Sequence, residues 1–349
     1  MKSPRLCHAL LCTCFVAALN LGARVENVRK ARPDITIERL DPALDALLPA
    51  GTKVEQLADG FEWSEGPVWM PEAGGYLLFS DVPANRVYRW NEAEGVTVFL
   101  QPSGYTGGDP TRIQRGMMGA NGLARAADGS LLLCQHGDRR IARLTPAGAF
   151  VTVAGRWNGE PLNSPNDLAV APDGAVWFTD PPFGHRGGLK APGLTLGFSG
   201  IYRVTPGGMV TPATRDVPAP NGLGFSPDGR RLYVGNHQRT HACWFVFDVT
   251  PDGTLANQRE FFDATPLVAQ QDFAPDGLKV DPAGNLWACG PTGVLILSPR
   301  GRHLGTIRTG VKTANCAFGG ADGRTLFITA DRYLLRVEVG AAVVGPPIH

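Results

Sequence analysis

One unit recurs six times along the 349 residues, and it fixes most of what the chain can become. Each copy holds a leading polar residue, a short apolar stretch, a turn at Asp-Gly or a relative of it, and a second apolar stretch. The copies begin at Glu65-Gly-Pro-Val-Trp, Asn121-Gly-Leu-Ala-Arg, Asn166-Asp-Leu-Ala-Val, Asn221-Gly-Leu-Gly-Phe, Asp276-Gly-Leu-Lys-Val and Asn315-Cys-Ala-Phe-Gly. In the last five the turn glycine falls eight residues after the leading residue, at Gly129, Gly174, Gly229, Gly284 and Gly323. The leading residues are 56, 45, 55, 55 and 39 positions apart. Runs of strand formers on either side of each turn read as hairpins. Third strands follow, as at Arg86–Arg89, Ile141–Leu144, Ile201–Val204 and Leu334–Val337. A period of this length with about four strands is that of a propeller blade. The expected fold is all-β, a six-bladed β-propeller. An open ring would leave bare strand edges, and the last copy nearly runs out of chain. A strand at Lys53–Ala58 is therefore expected to pair with the last blade and close the ring. Asp41–Leu48 reads as a short helical turn.

Composition agrees. Gly and Pro total 73 residues (44 and 29), about a fifth of the chain, which favours many short elements over long helices. The formal charge of +1, without a basic stripe, excludes the electrostatic footprint that nucleic acid demands. Lys2 and Arg5 precede a charge-free run, Ala9–Leu21, too short to span a bilayer, with a cleavage site at Leu21-Gly22-Ala23. Residues 1–23 are read as an export signal, 24–52 as an N-terminal extension and 53–349 as the propeller. The mature chain is expected to be periplasmic or secreted and not inserted in a membrane. Cys7, Cys12 and Cys14 leave with the signal. Of the other four, Cys134 and Cys289 lie at equivalent places on opposite blades and cannot bond, and buried free thiols are expected.

In a propeller the first strand of each blade lines the central channel. The six leading residues Glu65, Asn121, Asn166, Asn221, Asp276 and Asn315 should therefore form a ring at one channel mouth. Burying six polar groups without partners costs several kcal/mol, whereas converging carboxylates and amide oxygens suit a hard cation such as Ca2+. For one or two of the asparagines, bonding to nearby backbone is the simpler account. The returning strands end at the same rim, which should bring Asp81, Gln135, His136, Asp180, Asn236 and His237 into a second polar layer. His136 is placed between substrate contact and strand-end bonding. The long segments 101–120, 181–199 and 263–275 open on this face, and loops of such length are commonly functional. Trp63, Trp69, Trp177 and Trp287 are read as blade packing, and His185, His241 and His303 as ordinary surface or loop residues. There is no Gly-x-Ser-x-Gly elbow, His-Glu-x-x-His, phosphate loop or EF-hand.

Over about residues 53–340 the chain resembles the gluconolactonase and senescence-marker-protein (regucalcin) family. The resemblance rests on Ser64-Glu65-Gly66-Pro67-Val68-Trp69, Asn163-Ser164-Pro165-Asn166-Asp167, Pro220-Asn221-Gly222-Leu223 and Pro275-Asp276-Gly277-Leu278. It implies one divalent cation, most often Ca2+ with Zn2+, Mn2+ or Mg2+ as alternatives, held by Glu65, Asn166, Asn221 and Asp276. Asn121 and Asn315 fall outside that set. It also implies hydrolysis of a small lactone or ester, with the cation polarising the carbonyl. On that mechanism Asp276 is the general base, its pKa lowered by the cation, and Asn121, His136 and Asn163 orient substrate hydroxyls. The rival classes are a non-catalytic calcium-binding propeller and a propeller enzyme of other chemistry, such as an aryl esterase or a strictosidine-synthase-like condensing enzyme. Oligomeric state has no sequence signal.

Overall fold

The computed structural model describes residues 34–107 and 116–343, and the expected export signal lies outside them. Six antiparallel sheets follow one another along the chain, each built outward from an inner strand. The first three blades are Ser64–Met70, Tyr76–Asp81, Arg86–Asn91 and Gly95–Leu100; then Ala120–Arg125, Leu131–Gln135, Arg140–Leu144 and Phe150–Ala154; then Leu168–Val170, Val176–Asp180, Gly200–Val204 and Val210–Thr214. The fourth is Pro220–Phe225, Arg231–Asn236, Cys243–Val249 and Leu255–Asp263, and the fifth Leu278–Val280, Leu286–Gly290, Gly293–Leu297 and His303–Arg308. The sixth is Thr313–Gly319, Thr325–Ala330 and Tyr333–Glu338, with Val54–Asp59 as its outer strand. That N-terminal strand pairs antiparallel with the last strand of the chain, Val54 opposite Val337 and Asp59 opposite Tyr333.

The repeat signature has a backbone cause. The five turn glycines have φ between +68° and +85°, the left-handed region where a side chain is strained. In the second blade the Gly129 amide donates to the Ala126 carbonyl at 2.9 Å, and Asp128 caps the turn by accepting from the Ser130 amide at 3.0 Å. Asp-Gly is therefore the turn itself, and its recurrence spaces the hairpins.

The blades are joined by aromatic side chains. Trp69 stacks on Phe327 of the sixth blade at 5.5 Å, Trp177 meets Phe225 of the fourth edge-on at 5.7 Å, and Trp287 meets Phe318 at 5.6 Å. Trp177 and Trp287 are fully buried. Truncating a side chain so placed costs ~3–5 kcal/mol. The blade-packing expectation holds for these three tryptophans; Trp63 differs. Cys134, Cys243, Cys289 and Cys316 are buried free thiols, as expected.

Thr36–Arg39 adds a fifth strand to the outside of blade five, opposite Gly305–Arg308. The helical turn is Leu44–Leu47, and it buries Leu44, Leu47 and Leu48 against Ile307 and Val337. Residues of the N-terminal extension thus complete the outer wall of two blades. No described helix is long and apolar enough to cross a membrane.

Candidate functional site

The inner strands are regular except where the leading residues sit. Pairing jumps between Glu65 and Val68, Ala120 and Leu123, Pro220 and Leu223, and Thr313 and Asn315. In blades three and five the inner strand begins only at Leu168 and Leu278. Such bulges re-aim a side chain. The residue after the leading one is glycine in four copies because the next blade passes there. A Cβ at Gly66 would strike the backbone carbonyl of Asn121, and one at Gly222 would strike that of Asp276. Gly66 also has φ +46°. Gly66→Ala is expected to cost more than ~1 kcal/mol, read as a lower urea midpoint at unchanged m-value.

All six leading residues are buried. The Asn121 amide donates to Asn166 Oδ1 at 2.9 Å, and the Asn166 amide donates to Asn221 Oδ1 at 2.6 Å. Asn221 in turn hydrogen-bonds Asp276. Glu65 accepts from the Gly66 amide at 2.9 Å and from the Asn315 side chain at 3.4 Å. Glu65 and Asp276 act on each other through charge. The four residues singled out as ligands are thus contiguous. Asn315 is fully engaged in structure. Its amide donates to Glu65 and Asp167, and its oxygen accepts from the Cys316 amide at 2.9 Å and from Lys279 Nζ at 3.3 Å. Asn121 is not so engaged, since its side-chain oxygen is buried without a partner among the described residues.

Asp167 is the residue that sequence reasoning missed. It follows Asn166 where four copies have glycine or, in the sixth, cysteine, and its carboxylate accepts from Asn315 at 3.2 Å. Burial pushes the Glu65 carboxyl up to about 7, with Asp167 adding to the effect. Burial also holds Asp276 well above the usual carboxylate range, helped by Glu65 and Asp167. The pKa of Asp167 is raised by burial against the opposing pull of Lys279. The lowered pKa expected for Asp276 presupposed a bound cation; in the ion-free chain the shift has the opposite sign.

The expected second polar layer resolves into two kinds of residue. Asp81 accepts from the Glu62 and Trp63 amides at 3.1 Å each, Asp180 from the Asn163 amide at 2.8 Å, and Asn236 from the Ala219 amide at 3.1 Å. Gln135 donates to the Ser103 carbonyl at 2.7 Å. These four brace the loops that lead into inner strands. Asp180 has its carboxyl raised to about 7 by burial, against the pull of Arg139.

His136 is 1 % exposed, has the Asn166 side chain beside it, and has neither ring nitrogen in a well-formed hydrogen bond among the described residues. Burial lowers its pKa to about 4, so the ring is neutral at pH 7. Asn163 has its side-chain nitrogen committed to the backbone carbonyls of Asp180 and Phe198, both at 2.9 Å, and its side-chain oxygen is buried with no partner among the described residues. His185 is less ordinary than expected, because its Nε2 bonds the Asn163 backbone carbonyl at 3.0 Å.

The same mouth also carries an aromatic edge. Trp63 and Phe273 are 6.1 Å apart, Phe273 and His237 5.3 Å, and His237 and Phe183 5.5 Å. Trp63 does not pack between blades. It is half-buried and hydrogen-bonds the Glu65 carboxylate. His237 bonds the Pro275 carbonyl through Nδ1 at 2.9 Å, which makes that nitrogen the donor.

The donor set fits a hard divalent cation on two counts. It consists of oxygens, and beside Lys279 it holds three buried carboxyls, Glu65, Asp167 and Asp276, which a dication would ionise to a formal −3 + 1 = −2.

A six-bladed propeller with an acidic, oxygen-lined channel mouth is the class of protein that fold and site define. Residues 63–332 match the SMP-30/Gluconolactonase/LRE-like region, and the chain belongs to that family. It is 36% identical over 314 residues to a gluconolactonase of Zymomonas mobilis, covering 86% of this chain and 85% of that one. It is 27% identical over 283 residues to human regucalcin, covering 79% and 85%. Among solved structures, a gluconolactonase of Xanthomonas campestris superposes with a TM-score of 0.76 at 35% identity, over 90% of this chain and 99% of that one.

Proposed function

We propose that the chain hydrolyses a small sugar lactone or related ester at this mouth, using one divalent cation, Ca2+ before Zn2+, Mn2+ or Mg2+, held by Glu65, Asn166, Asn221 and Asp276. The observation that carries this reading is the cluster of three buried carboxyls, Glu65, Asp167 and Asp276, set among amide oxygens and each pushed up by burial in the ion-free chain. Membership of a family with gluconolactonases among its members supports the reaction. When bound, such a cation polarises the lactone carbonyl and favours the ionised form of the carboxyls around it.

Asp276 takes the proton of the water that adds to the carbonyl carbon. It is held for that task by the Gly277 amide and the Asn221 side chain. The side-chain oxygens of Asn121 and Asn163, unpartnered among the described residues, accept from substrate hydroxyls. His136, neutral at pH 7, accepts with one nitrogen and donates with the other. The Trp63–Phe273–His237–Phe183 edge offers the apolar face that the C–H side of a sugar ring requires. The charge-free segment Ala9–Leu21 behind Lys2 and Arg5 supports a periplasmic or secreted site of action.

A panel of lactones assayed with and without chelator tests the proposal. Hydrolysis is expected for at least one sugar lactone, lost in chelator and restored by added cation. Absence of turnover at every cation concentration would transfer the site to the calcium-binding, non-catalytic reading. Asn121→Ala is expected to raise KM by roughly 3- to 10-fold with little change in kcat, the worth of one neutral hydrogen bond.

A further inference from the structure

On the two outer strands of blade four, three side chains of different chemistry meet. His241 ends the short turn Arg239–His241, Cys243 opens the third strand, and Glu260 lies on the fourth. A nitrogen of His241, the Cys243 sulfur and a carboxylate oxygen of Glu260 all lie within 4.8 Å of one another, and His241 Nε2 is 2.9 Å from Glu260 Oε2.

We propose that His241, Cys243 and Glu260 form a second metal site, one that takes a zinc-class transition metal with three protein ligands and solvent in the fourth position. Imidazole, thiolate and carboxylate are the three ligand types of zinc, at ~2.0–2.3 Å from the ion, and a tetrahedral arrangement needs only small side-chain rotations from the present separations. The charges close as well. One thiolate, one carboxylate and a neutral imidazole balance a dication. The channel ring has no thiol and is built on oxygen, so the two sites differ in softness and select different metals.

Local structure builds the cluster. Cys243 faces Asp263 and Trp244 faces Phe262, and then the register slips so that Phe245 faces Glu260. The extra residue, Phe261, puts Glu260 on the face that carries Cys243, where unbroken alternation would have put phenylalanine. The Asn236 amide donates to the His241 carbonyl at 2.8 Å and also reaches the Cys243 sulfur. One side chain thus fixes two ligands, as partners behind a metal site do. Cys243 is fully buried, while the side chains of His241 and Glu260 are 47% and 45% exposed. The sulfur is anchored in the blade, and the other two ligands open to solvent as an entry path.

Cobalt is the probe, because thiolate ligation gives Co2+ a charge-transfer absorption that oxygen ligation does not. The full chain is titrated with Co2+ in the presence of excess Ca2+. A charge-transfer band saturating at one Co2+ per chain and displaced by Zn2+ is expected. Cys243→Ser removes the band, and His241→Ala and Glu260→Gln each weaken Co2+ binding by at least about tenfold, since losing a ligand costs no less than losing an outer partner. No band in the wild type overturns the proposal, as does a band that survives Cys243→Ser. His241 is exposed, so His241→Ala keeps the experiment decisive even where Cys243→Ser misfolds. An unchanged band and affinity in His241→Ala also overturn it.

Discussion

Asp276→Asn is expected to cut lactone turnover by about 10²-fold or more at saturating cation, the scale of losing a general base. The substitution keeps the size of the side chain and one ligand oxygen, and removes one negative charge. Its effect on stability should run the other way. In the ion-free chain Asp276 is held far above the usual carboxylate range by burial, by Glu65 and by Asp167, so the amide relieves a repulsion that the carboxylate suffers. Asp276→Asn should melt higher than wild type in chelator at neutral pH and gain less from added Ca2+. Opposite movement of activity and stability is the signature of a group kept for chemistry at the expense of the fold. Asn121→Ala, across the ring, is the control that separates orientation from proton transfer. Full activity of Asp276→Asn at saturating cation would leave hydrolysis standing and remove Asp276 as its base.

What the sequence disclosed was periodicity, and it disclosed much. The spacing of the turn glycines gave the blade count, and the equivalence of the leading residues placed Glu65, Asn166, Asn221 and Asp276 together before any coordinates. What it disclosed less well depends on which way a side chain turns at the end of a strand. Asp81, Asp180 and Asn236 end strands at the mouth as expected, yet they fold back onto the amides of the incoming loops. Alternation along a strand carries no information about that choice. Asp167 was within reach, because it breaks a pattern of glycine that a close approach between blades enforces. Lys279 was within reach too, as the one charged residue three places after a leading residue. The strand at Thr36–Arg39 and the bulge at Phe261 rest on pairing between distant segments, which a repeat search does not register. That bulge is also why His241 read as an ordinary histidine.

The ion-free protein is expected to lose stability as pH rises from about 4.5 to 7.5, and Ca2+ should remove the part of the loss that arises at the channel mouth. The sign follows from the carboxyls. Glu65 has a folded pKa of about 7 against an ordinary value of 4.5, and Asp180 stands at about 7 against 3.8. Each binds its proton more tightly in the folded chain than in the unfolded one. Below the unfolded value both states are protonated and the fold keeps its full stability. Between the two values the folded state alone holds the proton, and each step up in pH costs stability until the folded group ionises. At about 1.4 kcal/mol per pH unit, Glu65 alone accounts for roughly 3 kcal/mol across the window. A dication reverses the slope at the channel mouth, because it binds the ionised carboxyls and displaces their protons. It then adds the mass-action term, about 2.7 kcal/mol at a hundredfold excess over Kd. Asp180, braced on the Asn163 amide and outside the ligand set, keeps its own slope and sets the remnant that Ca2+ leaves behind. Melting curves from pH 4.5 to 7.5 in chelator and in excess Ca2+ check this: the two series should converge at acid pH and diverge toward neutrality. Parallel series across the whole range would mean that Glu65 and Asp276 do not hold the ion.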